Sequence, residues 1–178
     1  MKTVEYKVLT LIDVNLKLFS DFDRYQEVKK CWRKEKGEWI LKDISFTEKW
    51  SIEEYRYLVT CLHNTISTGG AVFGAFEENR LVGFASVENE LFGSQKEYLQ
   101  LSSIHITNGS RGSGIGRKLF ELACESANEL GAKKLYISAH SSKESKAFYD
   151  ALGCVEAVEY NEKLVEMEPY DCQLEYLL

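Results

Sequence analysis

Ile52, Tyr55, Leu58, Val59, Leu62 and Ile66 recur every three or four residues, the period of one helical face. Ser51-Ile52-Glu53-Glu54 opens this run as a capping box and Gly69-Gly70 stops it, so a helix is predicted to about Thr68. Phe22, Tyr25, Val28, Lys29 and Trp32 follow Ser20 at similar spacing and predict an earlier helix over about residues 21–32. Beyond Gly70 the period shortens. Ala71 to Phe76 and Leu81 to Val87 are β-rich runs around the polar turn Glu77-Glu78-Asn79-Arg80, and Tyr98 to Ile106 reads as a third strand. Ile115, Leu119, Leu122, Ala123, Ala127 and Leu130 restore the helical period until Gly131, and Leu135 to Ala139 is a strand joined through that helix. Ser141-Ser142-Lys143-Glu144 reads as a second capping box, opening a short helix that Gly153 closes. Val155 to Tyr160 and Asp171 to Leu178 are the last predicted strands, the latter burying Cys172, Leu174 and Tyr176 on one face. The fold class is α+β: a single domain with a mixed central β-sheet flanked by helices. With one proline and no low-complexity tract, no linker divides it.

Composition narrows the function. The chain has 178 residues, 22 Lys+Arg against 28 Asp+Glu, and a net charge of -6. An acidic surface repels nucleic acid, and no run approaches the roughly 20 apolar residues of a membrane span. Met1 to Lys7 lacks the apolar core of a signal peptide, so a cytoplasmic protein is expected. Five scattered cysteines without a C-x-x-C pair suggest neither a disulfide framework nor a zinc site; no metal is expected. The charge is unevenly spread. His105 to Lys146 holds seven basic residues against four acidic, whereas Asp150 to Leu178 holds eight acidic against Lys163 alone. This suits an anionic ligand at the first segment and a cationic one near the second.

The most informative segment runs from Ile104 to Lys118. Gly112, Gly114 and Gly116 lie directly before a helix, where free backbone N–H groups and the helix dipole favour a phosphate. Arg117-Lys118-Leu119 after Gly116 lacks the hydroxyl of a P-loop, and the third glycine comes one residue early for a dinucleotide fingerprint. Arg111 to Gly116 is R-x-x-G-x-G, which resembles the coenzyme A signature of the GNAT acetyltransferase superfamily. Ser142 to Cys154 is similar to a second pattern of that superfamily, N-x-x-A-x-x-F-Y-x-x-x-G-F, with Ser142, Ser145 and Cys154 in place of its Asn, Ala and final Phe. The resemblance covers residues 71–178 as an acetyl-CoA-binding core, with residues 1–70 as variable acceptor-side helices.

The resemblance implies an N-acetyltransferase using acetyl-CoA and a primary amine, in direct transfer within a ternary complex, with a small cationic molecule as the acceptor. The backbone of Arg111, Gly112, Ser113, Gly114, Ile115 and Gly116 would hold the pyrophosphate. The edge of Ile104, His105 and Ile106 would pair with pantetheine, with the Ile106 N–H at the thioester carbonyl. Ser142 stands where relatives bond pantetheine through Asn. Tyr149 matches the tyrosine that protonates the departing thiolate. The position matching a glutamate base of the histone-modifying branch holds Gln100, which leaves Glu97, Glu90 and His105 as candidates. A covalent route through Cys154 is the weaker alternative, because no His and carboxylate accompany it in sequence. Two other functions stay open: a non-catalytic acyl-CoA-binding module and a protein or peptide N-terminal acetyltransferase. The resemblance allows a homodimer through the last strands.

Overall fold

The computed structural model describes residues 2–178. Its centre is a seven-stranded sheet of order β1-β4-β5-β6-β7-β9-β8, formed by Glu5–Val8, Ala71–Glu77, Arg80–Val87, Tyr98–Ile106, Lys134–Ala139, Cys172–Leu177 and Val155–Glu156. Only β6 and β7 pair in parallel; the rest of the sheet is antiparallel, so the mixed sheet of an α+β fold is as expected. Helix α2 (Ile115–Glu129) covers one face, where Ala85, Leu99, Leu119, Ala123 and Leu135 are wholly buried. Helix α1 (Ile52–Ser67) and the N-terminal segment cover the other through Leu9, Phe19, Phe22, Leu62 and Phe84. The capping box at α1 is present in full: Ser51 Oγ accepts from the Glu54 N–H, and Glu54 returns the bond at 2.6 Å.

The predicted helix over residues 21–32 does not form. Gln26–Glu35 (β2) and Glu38–Glu48 (β3) make a separate two-stranded ribbon, so the first 70 residues supply strand β1 of the central sheet, one α-helix, a 3-10 turn and this hairpin. Val28 and Cys31, three apart and both fully buried, imitate helical spacing. The β2–β3 register shifts between Val28 and Lys30, so the pairing is irregular between these two buried positions. Cys31 bridges to Ser142, and the Trp32 N–H donates to Ser141 O at 2.8 Å. The overlooked signal is Lys36-Gly37, a two-residue turn with φ of 51° and 82° between the paired Glu35 and Glu38.

Three smaller corrections follow from local chemistry. The cap of α3 (Lys143–Leu152) is Ser142, not Ser141. The strand expected over Val155 to Tyr160 stops at Glu156, and Asn161 then caps the short helix α4 (Glu162–Met167), which carries too few buried positions to show a period. In β9, Cys172 and Leu174 are buried on one face as expected, but Gln173 and Glu175 on the other are buried too. Glu175 accepts from the Tyr98 phenol and lies 3.0 Å from Lys134.

The feature that makes a site is where pairing stops. β6 and β7 are in register only from Tyr98–Lys134 to Gln100–Tyr136, and both strands then run on unpaired. β6 stays joined to β5 up to Gly83–Ile106, with a register shift at Ser102. The Thr107 N–H donates to Val82 O at 2.8 Å, so strand alternation turns the backbone groups of His105 toward β5 and those of Ile104 and Ile106 into the gap. Hydrogen exchange followed by NMR should therefore show the Ile104 and Ile106 amides exchanging much faster than those of His105 and Thr107. Equal protection of all four would contradict the splay.

Candidate active site

At one end of the gap the chain turns into α2. Gly112 (φ 77°) and Gly114 (φ 88°) take left-handed conformations that other residues adopt only with strain, and Gly114 caps the helix without any side-chain hydrogen bond. The first helical bond is Lys118 N–H to Gly114 O, which leaves the amides of Ile115, Gly116 and Arg117 without helical partners. Gly116 is needed for a different reason: a Cβ there would come within 2.9 Å of the Phe148 ring, so glycine lets α2 and α3 meet closely. Arg111 folds back and donates from Nε to Ile106 O at 3.2 Å.

A groove of about 1260 Å³ joins this turn to the gap. Of the residues expected at the site, Ile104, His105, Ile106, Arg111, Gly112, Gly114, Gly116 and Tyr149 line it. Ser113 and Ile115 do not line it: the Ser113 hydroxyl donates to Ser110 O and the Ile115 side chain is buried in the core. Ser142 does not line the groove. It is fully buried, and its hydroxyl accepts from the Ser145 N–H at 3.2 Å as the cap of α3.

Tyr149 is 8 % exposed and packs edge-on against Phe148. Burial pushes its phenol well above the ordinary value, with the Cys154 thiol and Asp171 acting in the same direction, so it stays protonated at neutral pH. Its hydroxyl has no hydrogen-bond partner among the described residues, and the proton is free for a group in the groove. Burial lifts the Cys154 thiol to about 12 and Cys154 does not reach the groove, which removes a nucleophile from that position.

The expected bases fare differently. Glu97 sits at the paired end of β6, 3.5 Å from Lys134, and neither it nor Glu90 lines the groove. His105 does, 4.8 Å from the Trp50 ring, but burial and the nearby Arg24, Arg111 and His140 lower it to about 3. It is a neutral wall residue and a weak base.

Arg24, Glu48, Trp50, His140 and Asp171 also line the groove, and sequence reading did not find them because they come from separate elements with no common spacing. Arg24, 8 % exposed, donates to Gln26 at 2.8 Å and lies 3.5 Å from Glu48 and 5.1 Å over the Trp50 ring. His140 Nδ1 accepts from the Ser142 N–H at 3.0 Å, so the ring proton sits on Nε2, 3.2 Å from Glu48 Oε1. No cluster of metal-ligating side chains and no helix long and apolar enough to cross a membrane occurs among the described residues.

The family pattern described as "Acetyltransferase (GNAT) family" matches residues 27–154. The chain belongs to the GNAT acetyltransferase family. It is 31% identical over 94 residues to the uncharacterized N-acetyltransferase YjgM of Escherichia coli, covering 52% of this chain and 56% of that protein. It is 29% identical over 87 residues to the D-amino-acid N-acetyltransferase HPA3 of Saccharomyces cerevisiae, covering 48% and 54%. The chain spans about half the length of the curated relatives it matches. Its GNAT fold is shared with a putative streptothricin acetyltransferase from Bacillus anthracis, solved with acetyl coenzyme A, at TM-score 0.66 and 17% identity over 99% of this chain and 97% of that one.

The cap assignment of Ser142 is open to a direct test. Ser142→Ala should lower stability by about 1 kcal/mol, read as a shifted urea midpoint, and leave the KM for acetyl-CoA unchanged. A raised KM with an unmoved midpoint would restore Ser142 to the ligand.

Proposed function

We propose that this GNAT protein transfers the acetyl group of acetyl-CoA to a primary amine of a small cationic molecule, by direct attack in a ternary complex. The observation that carries the reading is the open edge of β6, with the unpaired amides of α2 at one end and the protonated Tyr149 phenol facing the same groove. The α2 amides and Arg111 suit a pyrophosphate, and the exposed edge of Ile104 to Ile106 suits the amides of a pantetheine arm. The Ile106 N–H, unpaired and aimed into the gap, is placed to stabilise an oxyanion. Tyr149 supplies the proton that turns a departing thiolate into a thiol.

Direct transfer is supported by the Cys154 thiol, which is buried and almost wholly protonated at neutral pH. A cationic acceptor is supported by the carboxylates of Glu27, Glu48, Glu54, Glu168 and Asp171 on the groove wall. Lys49 and Arg33 share that wall, so the acceptor can also carry an anionic group, as the amino-acid substrate named for the yeast relative does.

Release of free coenzyme A over a panel of polyamines, amino sugars and D- and L-amino acids tests the activity. Turnover with at least one amine and intersecting double-reciprocal lines are expected; parallel lines would indicate a covalent intermediate. Thermal stabilisation by acetyl-CoA without turnover on any amine would leave a binding module. Tyr149→Phe should lower kcat about 10²-fold with little change in the KM for acetyl-CoA, the loss typical of a missing general acid. Unchanged turnover would remove Tyr149 from the reaction.

A further inference from the structure

We propose that Asp171 is the general base of this transfer, the group that takes the proton from the acceptor's ammonium. The assignment rests on the acetyl-transfer reading and completes it. Side chains alternate along β7 and β9: Ile137, Ala139, Cys172 and Leu174 turn into the core that also holds Tyr149. Ser138, Asp171 and Gln173 take the other face, which His140 and Glu48 flank. Acid and base thus stand on opposite faces of the sheet, and both line the groove. A nucleophile deprotonated on one face attacks across the gap, and the leaving sulfur is protonated on the other.

Asp171 is also the end point of a directed hydrogen-bond chain. The Asn161 N–H donates to the Tyr136 phenol at 2.9 Å, and Tyr136 donates to Gln173 Oε1 at 2.5 Å. Gln173 Nε2 donates to Ser138 Oγ at 3.1 Å, and Ser138 Oγ donates to Asp171 Oδ2 at 2.9 Å. Every donor points toward the carboxylate, which fixes Oδ2 and orients the side chain. Oδ1 has no hydrogen-bond partner among the described residues, and Asp171 lines the groove.

Three of the competing groups in the groove are occupied. Glu48 has its two oxygens on His140 and Arg24, and Glu54 accepts from the Ser51 N–H in the α1 cap. His140 spends Nδ1 on Ser142 and Nε2 on Glu48. The groups around Asp171 are Ser138 on β7, His140 just past its end, Glu48 from β3 and Glu168 before β9, and Tyr149 on α3 is near enough to feel its charge. Burial raises Asp171 to about 6, with Glu168 and Glu48 adding to the rise and the Ser138 hydrogen bond and His140 opposing it.

In the reaction Asp171 takes one proton from R–NH3+ and releases it to water. The nitrogen lone pair then forms the C–N bond at the thioester carbon, with the oxyanion on the Ile106 N–H. The C–S bond breaks with its electron pair on sulfur, Tyr149 protonates sulfur, and the remaining ammonium proton of the new amide nitrogen restores the phenol. Amide, thiol and one released proton balance the ammonium and thioester consumed.

The test is the pH dependence of kcat/KM, which reports groups of the free enzyme. A protonated Asp171 cannot act as base, so the wild-type rate should rise through a limb near pH 6. Asp171→Asn should abolish that limb and lower kcat about 10²-fold, while acetyl-CoA still raises its melting temperature. A weakly basic amine, already neutral at pH 7, should lose less on this substitution than an alkylamine. Ser138→Ala, a positioning variant, should move the limb to higher pH by removing the bond that favours the carboxylate. Retention of wild-type turnover and the same limb in Asp171→Asn, or an equal loss for both kinds of amine, would overturn the assignment. If the wild-type protein acetylates no amine, the acetyl-transfer reading itself fails, which separates the two.

Discussion

Two strands that run side by side at one end of a sheet normally continue to exchange hydrogen bonds, because a buried backbone N–H left unpaired costs about 1–3 kcal/mol. β6 and β7 break that pattern past Gln100 and Tyr136. What holds them apart is placed outside the gap. β6 is committed to β5 through Ile106, with the register shift at Ser102 altering its course, and β7 is committed to β9 up to the Ala139–Cys172 pair. Below them α2 and α3 meet at Gly116 and Phe148, so the helices close one side while the strands remain open. The unpaired edge is a stored recognition surface.

Each chemical property of the groove depends on that separation. The gap opens Tyr149, buried among Phe148, Cys154 and Cys172 in one core, to the groove. Burial then keeps the phenol protonated, while the same low polarity makes Asp171 on the opposite face a stronger base than an exposed carboxylate. The β2–β3 ribbon walls the acceptor side: Phe46 packs 5.8 Å from His140, and Glu48 ties His140 to Arg24. Glu48 is held ionised by these partners and serves as a fixed charge.

The core and the glycine turn before α2 were legible in the sequence because their causes are local. Gly112, Gly114 and Gly116 mark a turn whose φ values and close approach admit only glycine, and the periods of α1, α2 and β4 to β6 reflect one-sided burial. The ribbon was not legible, since Val28 pairs with Phe46 and Cys31 bridges to Ser142, partners that no window of residues 21–32 contains. The capping role of Ser142 was hidden for a related reason. A motif position suggests a ligand contact, whereas in the fold the hydroxyl accepts the Ser145 N–H as the cap of α3. The base was hidden most completely: Asp171 acquires its character from Ser138, Gln173 and Tyr136, which are brought to it only by β7–β9 pairing.

The central claim is that the gap between β6 and β7 receives the thioester. A crystal structure with a non-hydrolysable acetyl-CoA analogue measures this directly. The carbonyl oxygen is expected about 2.7–3.1 Å from the Ile106 N–H, the range of an oxyanion contact, with the sulfur position beside the Tyr149 hydroxyl and the pyrophosphate on the amides of Gly112 to Gly116. An analogue whose pantetheine arm lies outside the gap, with Ile106 N–H unpaired, would contradict the account.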